Sequence, residues 1–191
     1  PEDPFLSFTW HAAAGSESHT VKTRLVGKYN FANAMAAICT GLYFGIPEKD
    51  ICSAIEQYMP QNNRSQYHKS PYNELILDMY NANPSSMEAA LLHFASLPHP
   101  RKVAILGDML ELGPYAGEEH MRILNLAASL PVEKIITVGP EFAKVSKGEK
   151  TVPFPSAEGL VEELKRNPIR GCQILIKGSR GMALEKVVPH L

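Results

Sequence analysis

A cluster of polar side chains follows one short apolar run of this sequence, and these side chains are spaced so that they could bind a ligand together. The run Leu75–Leu77 is followed by Asp78, Tyr80, Asn81 and Asn83. In an open parallel sheet, ligands bind beyond the carboxyl ends of the strands, where helix N-termini present unpaired N–H groups. A carboxylate at that edge can accept hydrogen bonds from the hydroxyl groups of a sugar. The same residue types also occur in ordinary strand-to-helix connections, where Asp and Asn only cap the helix and turn the chain.

Polar residues also follow two later apolar runs. The segment LGDMLELG carries Asp108 and Glu111 after the run Val103–Leu106, and Lys177, Ser179 and Arg180 follow the run Gln173–Ile176. If the sheet is parallel, the three loops meet at one edge, which brings Asp78, Asp108 and Lys177 close together. For the two basic residues the alternative is structural, namely ion pairs with nearby acids such as Glu185.

Two further candidates lie earlier in the chain. Asn30 and Asn33 are three residues apart at the start of a predicted helix, which places them on one face. A carboxamide offers both a donor and an acceptor, as the edge of an adenine ring requires, although Asn30 could equally be only an N-cap. Arg64 lies in a polar linker, where an arginine is usually solvated.

To bring these candidates together, the fold must alternate strands with helices, and the apolar pattern after residue 65 predicts such an alternation. Predicted strands are the runs Leu75–Leu77, Val103–Leu106, Ile135–Val138 and Gln173–Ile176. Predicted helices are Ser85–Leu97, Ala116–Leu130, Glu141–Val145, Ala157–Arg166 and Met182–Val188. This alternation predicts an α/β, Rossmann-like fold with a mostly parallel sheet and helices on both faces. Pro84 suits a first helical position, and Ser85 with Glu88 has the spacing of a capping box.

The residues before the linker have a different pattern. Thr20–Val26 alternates in polarity and predicts a half-buried strand, and Asn30–Phe44 and Glu48–Tyr58 predict helices. The linker itself, residues 59–65, is polar, contains a proline and lacks apolar periodicity, which predicts a domain boundary between residues 63 and 64. Because the chain starts at Pro1 in mid-pattern, we expect residues 1–63 to be the end of a larger domain and residues 64–191 to be a second domain.

The amino-acid composition is that of an ordinary globular protein. The 191 residues are 45% hydrophobic and 20% charged, as in an ordinary globular protein, and the net charge of −1 gives no electrostatic reason to expect nucleic acid as a partner. The three cysteines form no C-x-x-C pair, which fits a reducing compartment. The uncharged segment 29–47 is long enough for a membrane span, but its Asn and Gly residues favour a helix buried in protein.

Two motifs carry a resemblance to a known family. The pattern D-x-Y-N-A-N-P-x-S-M at residues 78–87, followed by L-G-D-M-x-E-L-G at residues 106–113, is similar to the Mur ligase family. These are ATP-dependent, amide-forming enzymes of peptidoglycan precursor synthesis. Within the family, the chain most resembles the members that join D-alanyl-D-alanine to UDP-N-acetylmuramoyl-tripeptide. The resemblance implies the C-terminal, acceptor-binding domain of such a ligase, preceded by the end of its central ATP-binding domain, in a cytoplasmic protein without a membrane span.

The resemblance also implies roles for the candidate residues. On the nucleotide side, the resemblance places Asn30 and Asn33 near ATP, Arg64 at an ATP phosphate and Asp78 at the ribose. It places the loop of Tyr80, Asn81 and Asn83 beside the nucleotide, at the junction between the two domains. On the acceptor side, D-alanyl-D-alanine carries a carboxylate and an ammonium group. Lys177, Ser179 and Arg180 could hold its carboxylate, whereas Asp108 or Glu111 could attract its ammonium group.

Other parts of such an enzyme are not in this sequence. No G-x-x-x-x-G-K-[ST] loop occurs, so nothing here is expected to cradle the ATP phosphates or seat Mg²⁺. We therefore expect no catalytic or metal-binding residue in these 191 residues, and no ligation by this polypeptide alone. The alternatives are a stand-alone nucleotide- or peptide-binding Rossmann module, and another Mur-like amide ligase of the folylpolyglutamate or cyanophycin type.

Overall fold

The computed structural model describes residues 4–13, 16–61 and 63–191, which form two compact units. The division falls between residues 61 and 62, two residues before the predicted boundary. The predicted start in mid-pattern at Pro1 lies outside the described residues.

The first unit pairs a two-stranded antiparallel sheet with two helices. Its elements are β1 (Phe5–Trp10), β2 (His19–Val26), a 3-10 turn (Lys28–Asn30), α1 (Phe31–Tyr43) and α2 (Glu48–Gln57). Its small apolar core consists of Trp10, Val21, Ile38, Ile51 and Ile55. The predicted strand and both predicted helices are therefore confirmed, with ends that differ by at most one residue.

The prediction that α1 is a buried helix is wrong for the described chain. Only Ala34, Ile38 and Gly41 are buried within α1, one residue per turn. The tyrosine and phenylalanine at its end, Tyr43 and Phe44, are 84% and 73% exposed. An uncharged sequence does not by itself bury a helix, because burial requires elements that pack on each of its faces.

The second unit is built on a six-stranded sheet of order β3-β4-β8-β5-β6-β7. Its strands are β3 (Gln66–Lys69), β4 (Glu74–Asp78), β5 (Lys102–Gly107), β6 (Lys134–Val138), β7 (Thr151–Phe154) and β8 (Gln173–Lys177). Its helices are α3 (Pro84–Ser96), α4 (Ala116–Ser129), α5 (Pro140–Val145) and α6 (Ala157–Arg166). All neighbouring strands are parallel except β3, which pairs antiparallel with β4. The predicted α/β fold with a mostly parallel sheet is confirmed.

The central strands are apolar because helices cover both of their faces. Every residue of β5 and β8 is buried. Alternate strand residues, such as Leu75 and Ile105, pack with Leu160 and Leu164 of α6 in one core cluster. On the other face, α3 packs against β8, and α3, α4 and α5 pack side by side. This packing fixes the strand ends from which the polar loops emerge.

One predicted helix differs from the structure, and two edge strands have no predicted counterpart. The last predicted helix is a series of 3-10 turns, Arg180–Met182, Leu184–Lys186 and Val188–His190, because Ala183 has a left-handed backbone (φ 51°) and Pro189 cannot continue a helix. Strands β3 and β7 were not predicted, since QYHK has no apolar alternation and TVPF contains a proline. Both are edge strands, where pairing on one side is enough and a proline is tolerated.

The search for a membrane span is negative within the described part of the chain. No helix there is long and apolar enough to cross a bilayer.

Candidate functional site

The predicted meeting of three loops at one edge of the sheet is confirmed. Strand β8 lies between β4 and β5, and Lys177 at its end aligns with Asp78 on one side and with Leu106 on the other. Asp108 follows β5 directly, and its carbonyl oxygen accepts a hydrogen bond of 3.1 Å from the N–H of Ser179. The carboxyl ends of β4, β5 and β8 therefore form one polar rim.

Lys177 is committed to an ion pair inside this rim. Its Nζ donates to Oδ2 of Asp78 at 2.6 Å and to the carbonyl oxygen of Asn81 at 3.2 Å. The Lys177 side chain is only 2% exposed. An ammonium group that is out of solvent and already paired is poorly placed to hold an acceptor carboxylate, so the geometry argues against the role predicted for Lys177. Its partner is Asp78 rather than Glu185, the acid suggested as a structural alternative.

Asp78 keeps the capacity to bind a ligand. Its Oδ1 accepts a hydrogen bond of 3.2 Å from the N–H of Ser65, and its Oδ2 accepts the one from Lys177. Two carboxylate oxygens offer about four acceptor positions, so further lone pairs are available to hydroxyl groups. The predicted contact with a ribose stays a prediction, and the hydrogen bond from Lys177 would keep the carboxylate oriented for it.

Asn83 caps the helix that follows the first polar loop. Its Oδ1 accepts from the N–H of Ser86 at 2.8 Å, and the Ser86 hydroxyl accepts from the N–H of Asn83 at 3.1 Å. The capping box therefore lies two residues earlier than Ser85 and Glu88, where it was predicted, because α3 begins at Pro84. Asn81 is likewise used locally, since its Oδ1 accepts from the N–H of Ala82. For these two asparagines, the structure supplies the capping and turning roles that were the alternative to ligand binding.

We expect replacement of Asn83 by alanine to lower the free energy of unfolding by about 1 kcal/mol, because the first turn of α3 loses its side-chain acceptor. Urea unfolding followed by circular dichroism measures the change. Ser85→Ala is the matched control, since Ser85 is exposed and lies inside the helix. A larger loss from Ser85→Ala than from Asn83→Ala would restore the capping box predicted from the sequence.

Asp108 caps a second helix from within the core. It is 1% exposed, and its two oxygens accept from the N–H groups of Glu141 and Phe142, both at 2.8 Å, at the start of α5. Gly139, with φ 123°, makes this possible, since a Cβ there would lie 2.4 Å from the Asp108 carboxylate carbon. A buried carboxylate whose oxygens are both used by backbone argues against the predicted contact between Asp108 and an ammonium group.

His120 closes the core behind this carboxylate. Its ring is fully buried, and Nε2 accepts from the N–H of Met109 at 3.0 Å. Because a carbonyl oxygen can only accept, Nδ1 must be the protonated nitrogen that donates to Ala116 at 2.6 Å. The ring also packs edge-to-face against Phe142. His120 is therefore a packing residue of α4 that fastens the LGDMLELG loop to the core through Met109.

Of the remaining acceptor-site candidates, Ser179 makes a hydrogen bond between two loops, and Glu111 and Arg180 are exposed charged residues. Ser179 is buried, and its Oγ accepts from the N–H of Leu110 at 3.0 Å, which fastens the loop after β8 to the loop after β5. Glu111 is exposed and has a left-handed backbone, φ 67°. Arg180 is also exposed. Glu111 and Arg180 are thus the acidic and basic groups that remain accessible at this side of the rim.

Arg64, Tyr80 and Arg180 come together at the same rim. The guanidinium carbon of Arg64 lies 3.6 Å from the centroid of the Tyr80 ring, and that of Arg180 lies 5.7 Å from it. The sequence predicted all three as site residues but gave no sign that the two arginines share a ring, because the three belong to distant segments. Only the strand order brings these segments together.

The two asparagines of the first unit contact each other as their spacing predicts. Nδ2 of Asn33 donates to Oδ1 of Asn30 at 3.0 Å, and Nδ2 of Asn30 donates to the carbonyl oxygen of Val26 at 2.8 Å. Asn30 is buried and its side chain makes no cap hydrogen bond, so its side chain is not the N-cap that the alternative suggested. Asn33 is exposed, and a nucleotide contact by either residue stays a prediction.

We find no candidate metal centre in residues 4–13, 16–61 and 63–191: no group of three or more His, Cys, Asp or Glu side chains could hold an ion. We assign none of the described residues to Mg²⁺.

Comparison with known proteins places this rim in a family. The family described as "Mur ligase, glutamate ligase domain" matches residues 63–180. The UDP-N-acetylmuramoyl-tripeptide–D-alanyl-D-alanine ligase of Treponema pallidum is 38% identical over 178 residues, which cover 90% of this chain and 39% of that protein. The ligase of the same name from Bacillus subtilis is 33% identical over 176 residues, covering 87% of this chain and 38% of that protein.

A solved structure agrees with the sequence relatives. The UDP-N-acetylmuramoylalanyl-D-glutamyl-2,6-diaminopimelate–D-alanyl-D-alanyl ligase of Acinetobacter baumannii superposes with a TM-score of 0.84 at 28% identity, over 97% of this chain and 41% of that one. The chain thus spans about two fifths of the length of these relatives. The matched family range includes Arg64 and Arg180, and hence the whole polar rim of the second unit. The chain belongs to the Mur ligase family.

Proposed function

We propose that this chain is the acceptor-binding part of an ATP-dependent ligase that joins D-alanyl-D-alanine to UDP-N-acetylmuramoyl-tripeptide. The observation that carries the proposal is the 38% identity, over 90% of the chain, to a protein named for that activity. The polar rim supports it, because it offers accessible groups of both charges at the carboxyl ends of parallel strands. Residues 1–61 would then be the end of the ATP-binding domain of the same ligase.

The proposed reaction has two steps. The γ-phosphoryl group of ATP is transferred to the tripeptide carboxylate, giving an acyl phosphate and ADP. The amine of D-alanyl-D-alanine then attacks the acyl carbon, loses a proton and expels phosphate, which leaves an amide bond. The chain would contribute positioning and charge stabilisation, since holding the two reactants in line converts an encounter between them into an intramolecular step.

On the nucleotide side, three residues of the rim have suitable chemistry. Asp78 would accept hydrogen bonds from ribose hydroxyls with its remaining lone pairs, held in place by Lys177. Arg64 would contact a phosphate oxygen, because a guanidinium group stays charged and can bind two oxygens at once. Closure of this part onto the rest of the ligase would complete the nucleotide site.

On the acceptor side, Arg180 and Glu111 are the groups that we assign. Arg180 would bind the carboxylate of D-alanyl-D-alanine, and Glu111 would attract its ammonium group. Ser179 would act indirectly, because its hydroxyl oxygen accepts from the N–H of Leu110 and so fixes the loop that carries Arg180. Neither Lys177 nor Asp108 is assigned a contact with the dipeptide, because both are buried and paired within the fold.

The test uses the full-length protein that contains this chain, supplied with ATP, Mg²⁺, UDP-N-acetylmuramoyl-tripeptide and D-alanyl-D-alanine. We expect phosphate release that depends on the dipeptide, and a product whose mass equals tripeptide precursor plus dipeptide minus water. The 191-residue chain alone should release no phosphate. Phosphate release with a single amino acid, such as glutamate, in place of the dipeptide would reject the proposal in favour of another amide ligase.

Replacement of Arg180 by alanine should raise the KM for D-alanyl-D-alanine roughly 10-fold, since one charge-assisted hydrogen bond to a carboxylate is lost. The KM for ATP should change less. The matched control is Arg170→Ala, because Arg170 is also exposed and also stacks on a tyrosine, at the opposite end of β8. A larger effect of Arg180→Ala on ATP than on the dipeptide would refute the assignment.

A further inference from the structure

One tyrosine of the rim is shared by two arginines. Tyr80 lies in the loop after β4, Arg64 precedes β3, and Arg180 follows β8. The Arg64 guanidinium lies over the ring at 3.6 Å from its centroid, and the Arg180 guanidinium lies at 5.7 Å. Both distances are within the range in which the negative face of an aromatic ring attracts a cation. A ring face covered by Arg64 at this distance has no room for a stacked nucleotide base.

The backbone holds Arg64 and Tyr80 next to each other. Asn63 and Ser65, on either side of Arg64, both have left-handed backbones, with φ of 58° and 47°. Such conformations are strained for non-glycine residues and persist where the surroundings enforce them. The N–H of Met79 donates to the Asn63 carbonyl at 2.8 Å, and the N–H of Ser65 donates to Asp78 at 3.2 Å. The two bonds join the turn that carries Arg64 to the residues just before Tyr80.

Arg180 is held from the other side. Ser179, immediately before it, donates its N–H to Asp108 and accepts from Leu110, and the turn Arg180–Met182 begins at Arg180 itself. Lys177 bonds the carbonyl of Asn81, which joins the end of β8 to the loop of Tyr80. The arginines therefore reach the ring from two separately fastened loops.

The charges at this ring are unbalanced. In the described part of the chain, neither Arg64 nor Arg180 forms an ion pair, and both side chains are exposed. Two guanidinium groups at one ring repel each other, and an anion bound to either relieves that repulsion. The ring attraction offsets part of the repulsion before any ligand binds.

We infer that Tyr80 is a positioning residue that holds the phosphate-binding Arg64 and the carboxylate-binding Arg180 at one ring, so that it affects the binding of both substrates. The inference rests on the proposed function, and it differs from the sequence-based role of Tyr80 as a border of the nucleotide alone. It predicts that loss of the ring weakens ATP and D-alanyl-D-alanine together.

The first arm of the test needs no enzymatic activity. In the 191-residue chain, Tyr80→Leu should shift the NMR signals of the Arg64 and Arg180 side-chain N–H groups, because the ring current on both is lost. Tyr72→Leu is the matched control, since Tyr72 stacks on Arg170 at 4.4 Å, and it should shift only the Arg170 signal. An unchanged Arg180 signal in Tyr80→Leu would overturn the shared ring.

The second arm uses the full-length ligase. Tyr80→Leu should raise the KM for ATP and the KM for D-alanyl-D-alanine by about 2- to 5-fold each. This is the loss expected when the arginine that binds each substrate loses one exposed cation–π contact with the ring. Tyr80→Phe keeps the ring and should recover most of the loss that Tyr80→Leu causes in both KM values. Tyr72→Leu leaves the rim intact and should have wild-type KM values. A change in the KM for ATP alone would overturn the inference. A wild-type enzyme without dipeptide-dependent turnover would reject the proposed function, while the NMR arm would still decide the geometry.

Discussion

Replacement of Lys177 by methionine should lower the free energy of unfolding by about 3 kcal/mol, the size expected when one partner of a buried ion pair is removed. Methionine fills a similar volume, so the loss reports the charge rather than a cavity. The Asp78 carboxylate would be left without the ammonium group 2.6 Å from it, and the Asn81 carbonyl would lose a donor. Urea unfolding followed by circular dichroism measures the change, with the slope of the transition checked for constancy.

Two variants serve as controls for this loss. Lys177→Met combined with Asp78→Leu should be markedly more stable than Lys177→Met alone, because no unpaired charge remains. Lys186→Met removes the partner of Glu158 on the surface. Nζ of Lys186 donates to Glu158 at 2.5 Å, and this hydrogen bond lowers the pKa of Glu158 to about 2. Its loss should leave the free energy of unfolding close to the wild-type value, because water screens exposed charges. Equal effects of Lys177→Met and Lys186→Met would contradict a buried pair.

In the full-length ligase, Lys177→Met distinguishes between two roles for Lys177. If Lys177 orients Asp78, its loss should raise the KM for ATP more than the KM for D-alanyl-D-alanine. The sequence predicted the reverse order, since it placed Lys177 at the acceptor carboxylate. A larger effect on the dipeptide would support that earlier assignment and would require the Lys177 side chain to leave its buried position.

Replacement of Asp108 by alanine should lower the free energy of unfolding by about 2–4 kcal/mol, because the N–H groups of Glu141 and Phe142 lose their buried acceptor. The negative charge at the start of α5 is lost as well, which adds to the cost. Thermal or urea unfolding measures the difference. Hydrogen exchange should accelerate at the Glu141 and Phe142 amides, which identifies α5 as the element that loosens.

Glu111→Ala is the matched control, since Glu111 is an exposed carboxylate of the same loop. It should leave stability almost unchanged and raise the KM for D-alanyl-D-alanine in the full-length ligase. Asp108→Asn keeps one acceptor oxygen and should lose less stability than Asp108→Ala. If Asp108→Asn instead weakened the dipeptide at wild-type stability, Asp108 would be the ammonium partner that the sequence suggested, and Glu111 would not.

The predictions that held are those based on periodic apolar runs. The runs that became β4, β5, β6 and β8 are short, apolar and separated by amphipathic segments, and such strands are buried wherever they lie in the sheet. The predictions that failed have two causes. The end of the chain forms 3-10 turns because Ala183 has a left-handed backbone and Pro189 cannot continue a helix. The uncharged segment that became α1 buries one residue per turn, because burial depends on neighbours that a local sequence does not specify.

The amino-acid sequence by itself determined the α/β class, the segments that form most of the strands and helices, and the meeting of three polar loops at one edge, because parallel strands all end on the same side. Only the tertiary structure decided which polar groups pair there. Placing β8 between β4 and β5 sets Lys177 against Asp78 and brings Arg180 to the ring of Tyr80. The neighbouring pairs act in the same way: β6 beside β5 brings the start of α5 to the Asp108 carboxylate, and β3 beside β4 brings Arg64 to Tyr80. Strand order results from the packing of the whole sheet, whereas each loop sequence carries only its own list of donors, acceptors and charges.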